Sequence, residues 1–146
     1  MKRINLIWAI VMCLFISASC HAHDKIIPVT QLPAEAQTFI KTYFADKTVA
    51  YCKKDYEGMG YKYEVKFNDG TEVDFDKKGV WDKVDCKFAA VPAALVPEII
   101  ANYVTANYPG ASIVKIDKER YGYEIELSND LELKFDRNGN LFDIDD

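Results

Sequence analysis

The sequence predicts an α+β fold built as a tandem repeat of two α-β-β-β-β units. Three observations lead to it: an internal repeat, an apolar helical stripe at the start of each copy, and short alternating segments after each stripe. A unit of about 55 residues makes only a marginal core. We therefore expect both units to form one antiparallel sheet of about eight strands, with the helices packed on one face.

The repeat is visible as two matching blocks. Residues 32–55 match residues 96–119 at an offset of 64, and residues 61–85 match residues 121–145 at an offset of 60. The change of offset marks a four-residue insertion within 56–60 of the first copy. Eight of the 25 pairs in the second block are identical: Tyr61/Tyr121, Tyr63/Tyr123, Glu64/Glu124, Glu72/Glu132, Phe75/Phe135, Asp76/Asp136, Gly79/Gly139 and Asp85/Asp145.

Each copy opens with a predicted helix. The apolar stripe of the first helix comprises Ala36, Phe39, Ile40, Tyr43 and Phe44, and that of the second comprises Ile100, Tyr103, Val104 and Tyr108. Pro33 and Pro97 suit the first helical turn, because the N–H that proline lacks has no partner there. The two helices are therefore expected to present one apolar face each to the sheet.

Four short strands are predicted after each helix. In residues 61–67 and 71–76, apolar side chains alternate with charged ones, as they do in 121–127. A period of two with one charged side predicts antiparallel strands that are covered on one face and exposed to water on the other. The outer strands of each unit are predicted near 49–54, 80–85, 113–118 and 141–145.

We expect residues 24–146 to form a single domain. Repeat one spans 32–86, the connector 87–95 and repeat two 96–146. Because the connector contains Phe88, Val91 and Leu95, we expect it to be packed rather than loose, with an extra helical turn at 92–95. The alternative is two independent domains on a flexible linker, which limited proteolysis would separate.

Residues 1–22 have the layout of a secretory signal peptide. Lys2 and Arg3 precede an apolar run of 11 residues at 6–16, which is too short to span a bilayer comfortably. Cleavage after Ala22 would follow small residues and give a periplasmic or secreted protein.

A second processing route is open at Cys20. The segment Ser17-Ala18-Ser19-Cys20 resembles a bacterial lipobox, although Ser17 stands where a large aliphatic residue is usual. Lipidation of Cys20 would instead give an outer-membrane lipoprotein with a lipid anchor.

The charge balance excludes one class of partner. Removal of residues 1–22 leaves 16 basic against 23 acidic residues, a net charge of −7. Nucleic acids and anionic membranes require clustered Lys and Arg, so we expect neither nucleic-acid binding nor membrane insertion after processing.

No set of residues predicts catalysis, so we expect that the protein is not an enzyme. Both histidines, His21 and His23, lie at the cleavage site, where they are poorly placed to serve as a general base. The many carboxylates alternate with lysines on one strand face, where opposite charges pair. The segment 136–139 contains part of a calcium-loop pattern but lacks the closing Glu. We predict no cofactor and no metal.

Two cysteines remain after processing. Cys52 is predicted to be a small core residue, and Cys86 lies just after the last strand of the first copy. In a meander, first and fourth strands lie about 14 Å apart, which would prevent a disulfide. The oxidising compartment leaves a disulfide open as the alternative.

The predicted partner-binding residues lie on the charged side of the sheet. Alternation places Trp81 and Lys83 on that side, and an exposed Trp among charges is typical of an anchor for a protein partner. The alternative is a bulge that turns Trp81 inward, or a Trp that covers a sheet edge. The candidate residues are Trp81, Tyr51, Lys62, Glu64, Lys83 and Leu141.

The repeat, the Leu32-Pro33 and Val96-Pro97 helix starts, the Tyr-x-Tyr-Glu strand and the Phe-Asp-x-x-Gly turn together resemble the PepSY-like proteins of Bacteroidetes. That resemblance spans residues 24–146 and implies an exported protein with a fold similar to the β-lactamase inhibitor protein. It also implies, by analogy of fold alone, a sheet face that grips a partner. We therefore predict a non-catalytic module that binds an unidentified envelope protein or peptide, with inhibitor-like or regulatory action as the role that the analogy suggests. The alternative is a small-ligand carrier with a pocket between helices and sheet.

Overall fold

The repeat is present as two copies of the same series of elements. The computed structural model describes residues 24–58 and 60–146. The predicted signal peptide, its cleavage sites and Cys20 lie outside these residues. The elements are β1 (Lys25–Ile27), α1 (Ala34–Tyr43), β2 (Val49–Glu57), β3 (Gly60–Phe67), β4 (Glu72–Phe75), β5 (Trp81–Asp85), α2 (Glu98–Asn107), β6 (Ile113–Lys118), β7 (Gly122–Leu127), β8 (Glu132–Asp136) and β9 (Leu141–Asp145).

The strands form one antiparallel sheet whose spatial order is the order of the chain, β1 to β9. This confirms the predicted fold class, with one strand more than expected. The additional strand, β1, pairs with the edge of β2, where Ile27 lies opposite Cys52. The sheet continues across the two copies because β5 pairs with β6, with Val84 opposite Ile116.

The core lies between the sheet and the two helices. Ala36 and Ile40 of α1, and Ile100 and Val104 of α2, are buried against the apolar face of the sheet. The largest fully buried side chains are Phe44, Phe67, Phe75 and Phe135. Burial of a side chain of this size stabilises the fold by roughly 1.5–3 kcal/mol.

The Phe-Asp-x-x-Gly turns have the same structural role in both copies. The carboxylate oxygen Oδ1 of Asp76 accepts hydrogen bonds from the backbone N–H groups of Lys78 and Val80, at 2.8 and 2.9 Å. Gly79 adopts a φ of +89°, and an added Cβ would lie 2.7 Å from Pro33 at the start of α1. The turn therefore needs glycine both for its backbone conformation and for its approach to the helix.

The connector is only partly as predicted. Val91 and Leu95 are buried and the predicted helical turn is a 3₁₀ helix at Ala93–Leu95, but the side chain of Phe88 is 99% exposed. The prediction that Phe88 packs is wrong. The N–H of Ala89 donates to the carbonyl of Cys86 at 3.1 Å, which makes Phe88 a central residue of a tight turn and directs it to solvent.

The two cysteines are unpaired and buried. Cys52 lies in the core as predicted, and burial raises the pKa of its thiol to about 11. Burial likewise raises the pKa of Cys86 to about 11. Because thiolates are the reactive form, neither thiol is activated for nucleophilic chemistry.

Candidate functional site

The outer face is the side of the sheet that the helices leave uncovered, and its side chains are mostly charged. Its central residues come from β3, β4 and β5, where Glu64 lies opposite Asp74 and Asp74 opposite Lys83. Residues between them in sequence, such as Val65 and Val84, point into the core. Four of the predicted binding residues lie on this face: Tyr51, Lys62, Glu64 and Lys83.

Tyr51 and Glu64 are joined directly. The hydroxyl of Tyr51 donates to Oε1 of Glu64 at 2.9 Å, and Nζ of Lys53 lies 3.1 Å from Oε2 of the same residue. Tyr51 is among the exposed large side chains. The ring is thus held in a fixed position while its face stays open to a partner.

Glu72 is the centre of the ion pairs in the first copy. Its two carboxylate oxygens lie 2.8 Å from Nζ of Lys66 and 2.7 Å from Nζ of Lys83. Burial opposes ionisation of Glu72, but the hydrogen bonds from both lysines lower its pKa to about 2. The glutamate is therefore ionised at neutral pH.

Asp74 lies beside these groups and lacks an equivalent partner. Its side chain is almost fully buried, and Oδ1 accepts no hydrogen bond from any described residue. Nζ of Lys62 is 3.9 Å from Oδ2. Burial raises the pKa of Asp74 to about 6, above its ordinary range, because the charged form is poorly solvated. Asp74, Glu64 and Glu72 each offer an oxygen within 4.8 Å of the others.

The predicted outward position of Trp81 is wrong. The pairing of β4 with β5 shifts by one residue, so that Phe75 lies opposite Trp81 while Asp74 lies opposite Lys83. This bulge turns Trp81 to the helix side, which was the alternative prediction. Its ring lies 6.0 Å from that of Phe39, and Nζ of Lys118 lies 3.5 Å from the ring centroid.

Leu141 is displaced in the same way. The register between β8 and β9 shifts after Lys134, and Leu141 lies opposite the buried Phe135. Leu141 packs against the core. Trp81 and Leu141 therefore occupy equivalent inward positions in the two copies, and neither belongs to the outer face.

The second copy carries a different charge pattern on the same face. At the positions of the first-copy lysines Lys53, Lys62, Lys66 and Lys83 it has Asp117, Gly122, Glu126 and Asp143. Glu126 lies directly opposite Glu132, where the first copy pairs Lys66 with Glu72. Neither Glu126 nor Glu132 forms a hydrogen bond or ion pair with another residue that the structure describes.

The geometry of the outer face suits recognition through charge and hydrogen bonds. Within residues 24–58 and 60–146 there is no histidine, and both thiols have raised pKa values. The outer face offers fixed charges, two tyrosine hydroxyls that are bonded to glutamates, and no activated nucleophile.

The sequence of this chain matches one known protein family. The family described as "Putative beta-lactamase-inhibitor-like, PepSY-like" matches residues 61–143.

The chain belongs to the PepSY-like family.

Solved structures of similar proteins agree with this assignment. A protein of Bacteroides thetaiotaomicron described as a "putative calcium-regulated periplasmic protein" is 50% identical, with a TM-score of 0.81, and the match covers 84% of this chain and 97% of that one. A "putative periplasmic protein" of Bacteroides vulgatus is 49% identical, with a TM-score of 0.81 and the same coverage. A second protein from that organism, described as periplasmic and of unknown function, is 38% identical, with a TM-score of 0.80, and the match covers 85% of this chain and 100% of that one.

A comparison with curated proteins finds no match. The periplasmic descriptions of the PepSY-like relatives confirm the predicted location in the periplasm or outside the cell. No helix in the described residues is long and apolar enough to cross a membrane.

Sequence reasoning about this PepSY-like chain missed an aromatic pair on the outer face. Tyr121, expected in the core, is exposed, and its ring lies 5.3 Å from that of Phe142. The hydroxyl of Tyr121 donates to Glu124 at 3.0 Å. The feature of the sequence that could have indicated this difference is Gly122, which stands where the first copy has Lys62. A Cβ there would lie 2.1 Å from the carbonyl oxygen of Phe135, so the chain comes unusually close to β8 at this point.

Proposed function

We propose that this PepSY-like protein is a non-catalytic binding module that holds a protein or peptide of the cell envelope on its outer face. The observation that carries the proposal is the outer face itself, a wide sheet surface that no helix covers. Its charged side chains are held in place by ion pairs and by the Tyr51–Glu64 hydrogen bond. Side chains that are already ordered lose less conformational entropy when a partner binds.

Photo-crosslinking in cells tests this proposal. A photoreactive amino acid at Tyr51 or Lys62 reports on the outer face, and the same residue at Thr38 or Thr105 reports on the exposed surfaces of α1 and α2. We expect discrete adducts from the two outer-face positions and none from the helix positions. Adducts that form only from the helices would contradict the proposal, because they would place the partner on the opposite side.

The small-ligand carrier has less support. Five depressions in the described residues, with volumes of about 340 to 420 Å³, are lined by strand and loop residues or by one helix alone. None of these five lies between a helix and the sheet, where the carrier would hold its ligand. Native mass spectrometry of the purified protein tests the alternative, since a carrier would retain a bound small molecule.

A second candidate function is regulation by calcium, which the description of the Bacteroides thetaiotaomicron relative favours. In this chain the oxygens of Glu64, Glu72 and Asp74 are close enough to share one cation. Oδ1 of Asp74 is buried and has no described partner. The lysines that pair with Glu72 compete for its oxygens, so we expect weak binding, with a Kd of about 10⁻⁴ to 10⁻³ M as in extracellular modules.

Calorimetric titration with calcium separates this candidate from the first. The wild-type protein should bind calcium, and Asp74→Asn should remove the binding, whereas the exposed Asp143→Asn serves as the matched control and should leave it unchanged. If the wild-type protein produces no heat at millimolar calcium, calcium regulation at this site is rejected.

A further inference from the structure

We infer that the junction between the two copies docks a protein segment that carries a Lys or Arg beside an apolar side chain. The junction site consists of the exposed Phe88 and a depression of about 390 Å³ next to it, whose acidic residues are Asp85, Glu126 and Asp130. This inference rests on the proposed function, because it names the chemistry of the partner that the outer face would hold.

Phe88 is the apolar part of the junction site. Its side chain is 99% exposed, more than any other large hydrophobic side chain in the described residues. The turn that holds it is fixed, since Oδ1 of Asp85 accepts the N–H of Lys87 at 2.9 Å. The turn fixes the backbone from which the aromatic side chain projects, and aromatic side chains are enriched in the cores of protein interfaces.

The walls of the depression supply negative charge. Asp85 is paired with Nζ of Lys87, but the carboxylates of Glu126 and Asp130 form no hydrogen bond or ion pair within the described chain. Both lie within the lining of one depression. Lys115 lies opposite Glu126, but its ammonium group forms its ion pair with Asp117, at 3.1 Å. An incoming ammonium or guanidinium group would therefore find both carboxylates available for a direct ion pair.

Glu132 of β8 lies directly opposite Glu126 of β7 and adds a further negative charge beside the depression. Two like charges directly opposite each other on neighbouring strands destabilise a sheet. The first copy avoids this with the Lys66–Glu72 ion pair, whose nitrogen and oxygen are 2.8 Å apart. In the second copy Lys115 of β6 lies opposite Glu126 and offsets part of the repulsion between Glu126 and Glu132. A cationic partner placed over the two glutamates would offset the remainder.

The backbone at the rim is also unusual. Lys87 and Asp130 are the two non-glycine residues with positive φ in the described chain, at +58° and +66°, and both line this depression. Asp130 stands at the turn position that Gly70 occupies in the first copy with a φ of +91°, so the turn itself requires this backbone, which helps to shape the rim.

The negative charge of the junction site indicates which kind of partner can bind there. Nucleic acids and other polyanions are repelled by these carboxylates, and a metal ion alone would leave Phe88 uncovered. A protein segment with a basic side chain next to an aliphatic or aromatic one would place its charge in the acidic depression and its apolar side chain against Phe88.

A random peptide library displayed on phage, selected against the full chain after export, tests the inference. We expect enriched peptides to carry Lys or Arg within three residues of a large apolar residue. The synthetic form of the strongest peptide should lose about tenfold in affinity with Phe88→Ala, and about tenfold with Glu126→Gln combined with Asp130→Asn. Its affinity should fall as salt is raised for the wild type, but much less for the double variant.

Matched controls separate this site from the rest of the molecule. Ile99→Ala removes another exposed apolar side chain and Glu98→Gln removes an exposed glutamate, both on α2 and away from the outer face. Each should change affinity less than about twofold. Every variant should remain folded at the temperature of the binding assay, which thermal unfolding checks, because Phe88, Ile99, Glu98 and Asp130 are exposed and the loss of the Glu126 charge lessens its repulsion with Glu132.

Enrichment of peptides without basic residues, or affinity unaffected by Phe88→Ala and by the double variant, overturns the junction site. If such peptides still crosslink to Tyr51 or Lys62, the proposed outer-face function stands without it. If no peptide is enriched, the junction site is rejected, and the crosslinking in cells decides the proposed function separately.

Discussion

Asp74 shows how one buried residue contributes to the pH dependence of folding stability. Its carboxyl pKa is raised to about 6 by burial, above the ordinary value of 3.8. The folded state therefore binds a proton more readily than the unfolded state, and this residue favours folding as the pH falls from above 6 toward 4. Above pH 6 the buried charge destabilises the fold.

We accordingly expect Asp74→Asn to raise the free energy of unfolding at pH 7.5 by about 1 to 3 kcal/mol. The difference from wild type should shrink toward pH 4.5, where Asp74 is protonated in the folded state. Urea unfolding at the two pH values measures it. A variant that is equally destabilised at both values would show that the carboxylate has a favourable partner.

Trp81 gives a second prediction at this scale, because it packs against Phe39 and lies under the ammonium group of Lys118. Trp81→Ala should lower the free energy of unfolding by about 2 to 4 kcal/mol through lost packing. Tyr51→Ala, on the outer face, should cost less than about 1 kcal/mol. Chemical unfolding monitored by circular dichroism compares the two, and equal costs would contradict the inward position of Trp81.

Among the elements, the turns before β5 and β9 tie each hairpin to a helix. A Cβ on Gly79 would lie 2.9 Å from the backbone nitrogen of Ala36, whereas one on Gly139 would meet the flexible side chain of Ile99 at 2.4 Å. Gly110 has a similar φ of +90° but nothing within 4 Å of the added atom. Substitution of these three glycines therefore distinguishes the cost of a left-handed backbone from the cost of crowding by the added Cβ.

We expect alanine to cost about 1 kcal/mol at Gly110, from the left-handed backbone alone. The cost should be larger at Gly139 and largest, roughly 2 to 4 kcal/mol, at Gly79, because backbone cannot move aside as a side chain can. Thermal unfolding of the three variants gives the ranking, and a cost at Gly79 no greater than at Gly110 would contradict the close approach to α1.

The strands also show what the sequence could and could not predict. Alternation of apolar and charged residues located β3, β4, β7 and β8 and their exposed side correctly, since burial of one face determines that pattern. The bulges left no mark in the alternating pattern of the sequence. Each one adds an unpaired residue, which reverses the direction of every side chain beyond it in the strand. Trp81 and Leu141 were misplaced for this reason, and Phe88 because a tight turn overrides its preference for burial.

For the whole molecule, the pairing of β5 with β6 joins two copies whose separate cores would be marginal. We expect both to unfold in one cooperative transition. Ile116→Ala, at the centre of this junction, should lower the free energy of unfolding by about 2 to 5 kcal/mol. In hydrogen-exchange measurements, the backbone amides of β3 and β7 should lose protection at the same denaturant concentration. Loss in β7 well before β3 would instead support two independent domains.

The strand order carries a further consequence for how the chain reaches this state. Because each strand pairs only with its neighbours in sequence, most pairings close a tight turn, and the two longer connections, 28–48 and 86–112, each contain a helix. A chain that enters the periplasm from its N-terminal end could add strands one at a time as they emerge. The growing edge would stay open until the next strand arrives, so the connectivity that favours rapid folding also leaves one unpaired strand edge at each stage of translocation.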